Sequence, residues 1–326
     1  MGYESKDHNI QGVILAAGKG SRLHPITVDR SKAMVPILGK PIVERVMELL
    51  YHNGVRDFIL VVSPDDRNIV RYFQRESSLD ADIRFVYQVE RKGMANALQY
   101  AAPLIEGDFV LSACDNLVAQ QDVGRLIAMM TSDSQPNGVL TLLPVEPDRL
   151  GSVGIVELDG AWVTRIVEKP KPEDAPSHIS SLPLYAFKPR ILDYLPEVPV
   201  SPRGEYELQD AIQMLINREG RVGGLLIEHR LTLTNAGDLL ALNREYLTHG
   251  DRRPQLEPQT VGVHTQLITP LHIEQGTVIG ENCTVGPNVY IEQNCRIGDG
   301  VVLRDAVVLR GVTVPEGMVV ENQVLA

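Results

Sequence analysis

The chain has 326 residues, 31 basic and 42 acidic side chains and a formal net charge of −11. Hydrophobic residues make up 44% and charged residues 22%, the balance of a globular chain of about two domains, so a wholly disordered protein is excluded. A nucleic-acid binder would carry a basic face, which disfavours that class, whereas a few placed Lys and Arg suffice for an anionic small substrate. The first segment, MGYESKDHNIQGVILAAG, has neither a basic flank nor an apolar run long enough for a leader or a membrane span. Three cysteines are too few for a disulfide framework, and the chain reads as cytoplasmic.

Taken in order, Val13-Ile14-Leu15-Ala16 predicts a strand buried on both faces. Val43, Val46, Met47 and Leu50 recur at helical spacing and stop at Asn53-Gly54. A strand at 58–62, a helix at 68–75, a strand at 83–86, a helix at 94–100 and a strand at 109–113 follow. This alternation predicts an α/β domain with a mostly parallel, Rossmann-like sheet. Strands at 138–143, 154–157 and 163–167, with no helices between them, predict an antiparallel extension. Asp122 and Asp210 read as helix-start or helix-face residues with no further role.

From Val261 the pattern changes. Leu267, Ile273, Ile279, Val285, Ile291, Ile297, Leu303 and Leu309 are six apart, with turn-prone Gly, Asn and Asp between them. That period predicts a parallel β-helix of hexapeptide repeats, with Cys283, Val289, Cys295 and Val301 filling the same coils. The expected domains are 1–248, a polar linker at 249–260 and the repeats at 261–326. An apolar coil end predicts a homo-oligomer assembled through the repeats.

The strongest chemical signal is Leu15-Ala16-Ala17-Gly18-Lys19-Gly20-Ser21-Arg22-Leu23, directly after the first strand. Gly18 and Gly20 let backbone amides face a phosphate, and Arg22 and Lys32 are cations within reach of that loop. Neither a Walker A loop nor a dinucleotide fingerprint fits the spacing. Asp115 follows a parallel strand, where α/β sheets place ligand-binding groups.

The stretches LAAGKGSRLHPIT and SKAMVPILGKPIVE resemble the signature of the sugar-1-phosphate nucleotidyltransferases, or nucleoside-diphosphate-sugar pyrophosphorylases. The match continues through Gln88 with Gly93-Met94-Ala95, Asp115-Asn116 and Glu168-Lys169-Pro170. Many members also carry a C-terminal left-handed β-helix, so the resemblance spans nearly the whole chain. It implies attack of a sugar-1-phosphate oxygen on the α-phosphorus of a nucleoside triphosphate, with pyrophosphate leaving. Such an enzyme holds two polyanions together and neutralises the leaving group.

In that frame Leu15, Ala17, Gly18, Gly20, Gln88 and Gly93 bind the nucleotide, and Arg22, Lys32 and Lys169 act on the phosphates. Asn116, Gly154, Glu168 and Tyr185 meet the sugar, and Asp115 holds Mg²⁺. Gln88 is suited to pair at two points with uracil or thymine, which favours UTP or dTTP with a glucose-1-phosphate-like acceptor. Three positions depart from the pattern: Ser31 replaces a Pro, Cys114 replaces a Gly, and the second metal acid is replaced by Thr232, or by Asn235 after a small slide. The last departure keeps open a catalytically degenerate regulatory subunit. His264 and His272, in the first coils, keep open a hexapeptide-repeat acyltransferase.

Overall fold

The computed structural model describes residues 10–249 and 256–326. The chain start and residues 250–255 of the expected linker lie outside the described residues. The chain divides into two compact units that do not follow chain order. One comprises residues 1–18 and 43–230, the other residues 19–42 and 231–326.

The first unit is built on nine strands: β1 (Gln11–Leu15), β2 (Asp57–Val62), β3 (Asp82–Tyr87), β4 (Phe109–Ala113), β5 (Gly138–Pro144), β6 (Gly154–Asp159), β7 (Trp162–Glu168), β8 (Ile179–Phe187) and β9 (Val222–Leu226). They form one sheet in the order β3-β2-β1-β4-β8-β5-β9-β7-β6. The four strands from β3 to β4 are mutually parallel. β8 enters antiparallel to β4 and β5, and β6 and β7 form the antiparallel extension that the helix-free run of strands predicted.

Every residue of β1 is buried, as a strand covered on both faces requires. Its odd residues Val13 and Leu15 join Ile59, Val61, Leu111, Tyr185 and Phe187 in one core. Helix α1 (Ile42–Tyr51) buries Val43, Val46, Met47 and Leu50, the stripe read from the sequence. Helices α2 (Arg67–Arg75) and α3 (Met94–Ala101) lie within a residue of their expected spans. Asp122 and Asp210 fall in the first turns of α4 (Gln120–Met130) and α5 (Leu208–Glu219), where a carboxylate meets the positive end of the helix dipole.

In the second unit, short parallel strands stack in three ladders. Thr260, Val278, Arg296 and Thr313 succeed one another on one, and Gln266, Thr284, Val302 and Val319 on the next. Leu271, Val289, Ala306 and Gln323 form the third. The first steps are 18 residues, three hexads per coil, which is consistent with a parallel β-helix. The phase differs from the sequence expectation at one point: Ile291 pairs with Val308, not Leu309. The coil is one residue short at a corner where Asp305 adopts φ 45°, held by Asn288 (3.0 Å) and Arg244 (2.6 Å). The inward series therefore continues through Val308, Val314 and Val320, all buried. Cys283 and Cys295 are free thiols in this core, as their size suggested. Helix α6 (Ala236–His249) belongs to the same unit. Among the described residues no helix is long and apolar enough to cross a membrane.

Candidate active site

Six of the sequence-predicted residues come together at one edge of the sheet. β1 and β4 run in register from Gln11 and Phe109 to Leu15 and Ala113, so Gly18 and Asp115 leave neighbouring strand ends. The Cys114 amide donates to the Leu15 carbonyl (3.2 Å), holding the two exits together. Gln88 leaves β3 at the same edge, its amide donating to Val62 (2.9 Å). β8 extends past β4, and its Ser181 pairs with Gly154, which in turn pairs with Glu168. The carboxyl end of parallel strands is where α/β sheets bind ligands, because the exiting loops diverge there.

A Cβ placed on Gly18 would meet no protein atom within 4 Å, so the fold itself does not need glycine there. Gly93 is different. It has φ 97°, and a Cβ would lie 2.5 Å from the Tyr206 carbonyl oxygen, so close backbone approach is a sufficient reason for it. Gln88 is buried, and its Nε2 donates to Asn96 Oδ1 (2.9 Å) and Gly93 O (3.4 Å). Its Nε2 is thereby engaged by acceptors within the protein.

Asp115 and Asn116 are 7% and 1% exposed, and neither amide atom of Asn116 has a hydrogen-bond partner. An unmet buried polar group costs about 1–3 kcal/mol, which a polar ligand would recover. One carboxylate beside one amide is a hard-oxygen pair suited to a divalent cation, yet too small to enclose one. Among the described residues no group of three or more His, Cys, Asp or Glu gathers as a metal cluster. Oxygens of bound phosphates would have to complete the shell.

Gly154 lies against Glu168, whose Oε2 would be 3.1 Å from an added Cβ. Glu168 Oε1 sits 3.5 Å from Lys169 Nζ and 3.2 Å from Arg203. Burial raises the Glu168 pKa, and the Lys169 and Arg203 charges offset this only in part. Lys169 adopts φ 43°, its amide tied to Val153 O (3.1 Å). Sequence reasoning missed Arg203, which also bonds Glu207 (2.8 Å), and Ser201, which caps the same Glu207 (2.8 Å). The available signal was the turn-prone Ser-Pro-Arg-Gly run, in which Gly204 has φ 77°. Tyr185 is fully buried in the core, its hydroxyl against Ser181 (2.8 Å), so its ring lines no open surface.

The remaining predicted residues lie in the second unit. Gly20 (φ 64°) opens a short 3-10 turn, Ser21–Leu23, that carries the exposed Arg22. A Cβ on Gly20 would sit 2.9 Å from Lys32 Cβ and 3.2 Å from Thr27, so glycine lets the two strands of the loop close on each other. Thr27 Oγ1 donates to Gly20 O (3.0 Å) across the same turn. Thr232 is half-buried just before α6. Asn235 is occupied as a helix cap: its Oδ1 accepts from the Asp238 amide (3.1 Å), and Asp238 accepts from the amides of Thr234 and Asn235. His272 is buried with its ring 5.6 Å from that of Tyr290, whereas His264 is exposed.

Residues 11–229 match the family profile described as nucleotidyl transferase, and residues 267–326 match the GMPPB C-terminal domain. The UTP–glucose-1-phosphate uridylyltransferase AglF of Haloferax volcanii is 34% identical over 213 residues, 65% of this chain and 85% of its own. The bifunctional protein GlmU of Methanococcus maripaludis is 30% identical over 240 residues, and the chain spans 54% of its length. A solved UDP-glucose pyrophosphorylase bound to UDP-glucose superposes with a TM-score of 0.66 at 22% identity, covering 73% of this chain and 98% of that one. At that identity the likeness concerns the fold.

Proposed function

The chain belongs to the nucleotidyl transferase family, and from that premise we propose that it joins UTP or dTTP to a sugar-1-phosphate resembling glucose-1-phosphate, releasing pyrophosphate and forming a nucleoside-diphosphate sugar. The observation that carries this reading is the gathering of Gly18, Gln88, Asp115, Asn116, Gly154 and Glu168 at one strand-end edge. Gly18, Gly20 and Arg22 take the triphosphate. Lys32 and Lys169 neutralise the reacting phosphates, and the Arg22 fork stabilises the leaving pyrophosphate. Glu168 accepts hydrogen bonds from sugar hydroxyls, and Gly154 lets the sugar approach the backbone. Asn116 supplies its unpartnered amide to the sugar.

Gln88 Oε1 accepts the N3–H of uracil or thymine and repels the ring lone pair that cytosine or adenine presents instead. Guanine also offers an N–H, so GTP is the purine competitor. Sugar nucleotidyltransferases are generally metal-dependent. Asp115 would hold Mg²⁺, with Thr232 a weaker oxygen donor, and the ion would screen charge between phosphate oxygens. The six-residue repeats support a left-handed β-helix. Exposed Val261, Val263 and Ile268 on the first coil, and Met318 and Val319 on the last, support self-association through the coil ends. Three buried cysteines, none of them in a disulfide, support a reducing, cytoplasmic setting.

The test is pyrophosphate release with each nucleoside triphosphate against a panel of sugar-1-phosphates. The expected result is release with UTP or dTTP and glucose-1-phosphate, abolished by EDTA. A higher kcat/KM with GTP or ATP overturns the base assignment, and binding of both substrates without release marks a degenerate subunit.

A further inference from the structure

We propose that the C-terminal coils anchor the loop that carries Arg22 and Lys32, with Glu292, Tyr290 and Arg310 as positioning residues for phosphate binding. The proposal rests on the reading of Arg22 and Lys32 as triphosphate ligands. Residues 19–42 contain only two 3-10 turns, Ser21–Leu23 and Lys32–Met34, and a two-residue hairpin pair. A segment with so little regular structure depends on contacts outside itself for much of its fixed shape. It forms one compact unit with residues 231–326.

Four anchoring contacts are visible. Arg30 Nη1 donates to both carboxylate oxygens of Glu292 (2.9 Å each), and both side chains are only 7% exposed. Asp29 accepts from Arg310 (3.1 Å), while the Arg310 amide donates to Glu292 Oε2 (2.8 Å). The Gly39 amide donates to the Tyr290 hydroxyl (3.1 Å), which donates to Glu274 Oε1 (2.6 Å). Gly39 has φ 76°, and a Cβ there would lie 2.9 Å from that same carboxylate. The Leu38 amide donates to Asn243 Oδ1 (3.1 Å) on α6, whose own Nδ2 is fixed to Leu239 O (2.8 Å). Lys32 lies between the anchors at 29–30 and 38–39, and its Cβ is packed against Gly20.

The coil face is specialised for this contact. Ile273 pairs with Ile291, so Glu274 and Glu292 succeed one another on adjacent coils. Two adjacent, largely buried carboxylates repel one another, and a cation beside them offsets that repulsion. Each also accepts a backbone amide of the next coil, Glu274 from Gln293 (3.2 Å) and Glu292 from Arg310 (2.8 Å), so it is the Arg30 contact that ties them to the loop. Arg30 supplies the cation, and the repeated Ile-Glu-Gln of the hexads is the sequence trace of the receiving face. Preorganised charges stabilise phosphates far better than mobile ones, so anchoring Arg22 and Lys32 bears first on the triphosphate, which both of them meet.

The experiment uses the full chain with UTP and glucose-1-phosphate. In Glu292→Gln we expect amide exchange of residues 19–42 to rise while the coils stay protected, and kcat/KM for UTP to fall about 10- to 100-fold. The KM for glucose-1-phosphate should stay within about twofold of wild type. Tyr290→Phe should act in the same direction more weakly. Arg30→Glu combined with Glu292→Arg should recover part of the loss, and Glu321→Gln, which breaks the exposed Arg304 pair on the coils, should change nothing. Unchanged loop exchange in Glu292→Gln overturns the anchor. So does exchange rising throughout the coils with both KM values rising together, which marks general unfolding. If wild type releases no pyrophosphate, the functional reading fails, and loop exchange alone still decides whether Glu292 fixes residues 19–42.

Discussion

Two ion clusters in this molecule use the same groups in opposite ways. Around Glu168, Lys169, Arg203 and Glu207 meet at a half-open sheet edge, with Arg203 37% and Lys169 40% exposed. Around Glu292, Arg30 is closed off, both partners at 7%. In the open cluster the carboxylate is incompletely compensated, its charge offset only in part by Lys169 and Arg203. In the closed cluster every oxygen of Glu292 is taken by Arg30 or the Arg310 amide, leaving nothing for a substrate. Chemistry is read from the incomplete cluster and architecture from the complete one.

The comparison breaks most sharply under removal of one cation from each cluster. Arg30→Met strands a buried carboxylate and should cost about 3–5 kcal/mol of folding stability. Arg203→Met removes a partly exposed partner and should cost about 0.2–1 kcal/mol. Urea denaturation of both variants checks this, and equal midpoints would contradict the distinction.

Arg22 belongs to neither cluster and should matter to rate alone. Taking a lost oxyanion donor as the scale, Arg22→Ala should cost about 2.7–4 kcal/mol of transition-state stabilisation with the denaturation midpoint unchanged. Steady-state kinetics beside a melting curve separates the two quantities.

The clusters should also answer pH with opposite signs. Burial raises the Glu168 pKa, so its favourable contribution is greatest in acid, below the ordinary glutamate value, and is lost as pH rises through the raised folded value. For Asp29, burial also raises the pKa, but the Arg30 and Arg310 bonds outweigh it and the net shift is downward. Its contribution is present above the ordinary aspartate value and is lost as pH falls through the lowered folded one. From pH 4.5 upward, the ordinary glutamate value, Glu168→Gln should therefore gain stability relative to wild type. Asp29→Asn should lose stability relative to wild type as pH rises through the ordinary aspartate value of 3.8. The KM for sugar-1-phosphate should fall as Glu168 ionises.

Half of the open cluster, Glu168 and Lys169, was legible in the sequence, and the closed one was not. Gly18 and Asp115 follow parallel strands, whose carboxyl ends fall at one edge whatever the loops do, whereas Glu168 ends the antiparallel β7 and was marked by the Glu-Lys-Pro run. Arg30 and Glu292 are 262 residues apart, and no local period links them. Arg203 reaches Glu168 through a turn at Gly204 that residue types alone do not aim. The hexad phase was legible until one corner at Asp305 lost a residue, a change of coil length that leaves each neighbouring hexad looking regular. The bond from Gln88 to Asn96, in the first turn of α3, was not legible because it depends on how that helix is placed.

The smallest expected effect separates two glycines that look alike in the motifs. Gly18 has no atom within 4 Å of an added Cβ and no left-handed φ, so Gly18→Ala should leave folding stability within about 0.4–1 kcal/mol of wild type, toward a gain, because alanine reduces the freedom of the unfolded chain. Gly93 combines φ 97° with the Tyr206 carbonyl oxygen 2.5 Å from the added carbon, so Gly93→Ala must shift backbone on two elements and should melt earlier. If the space beside Gly18 is the seat of a triphosphate, the same Gly18→Ala protein should bind UTP more weakly while melting normally. Calorimetric titration with UTP beside a melting curve decides it: normal UTP affinity in Gly18→Ala would remove the phosphate cradle from this loop and leave Arg22 and Lys32 to hold the nucleotide by charge alone.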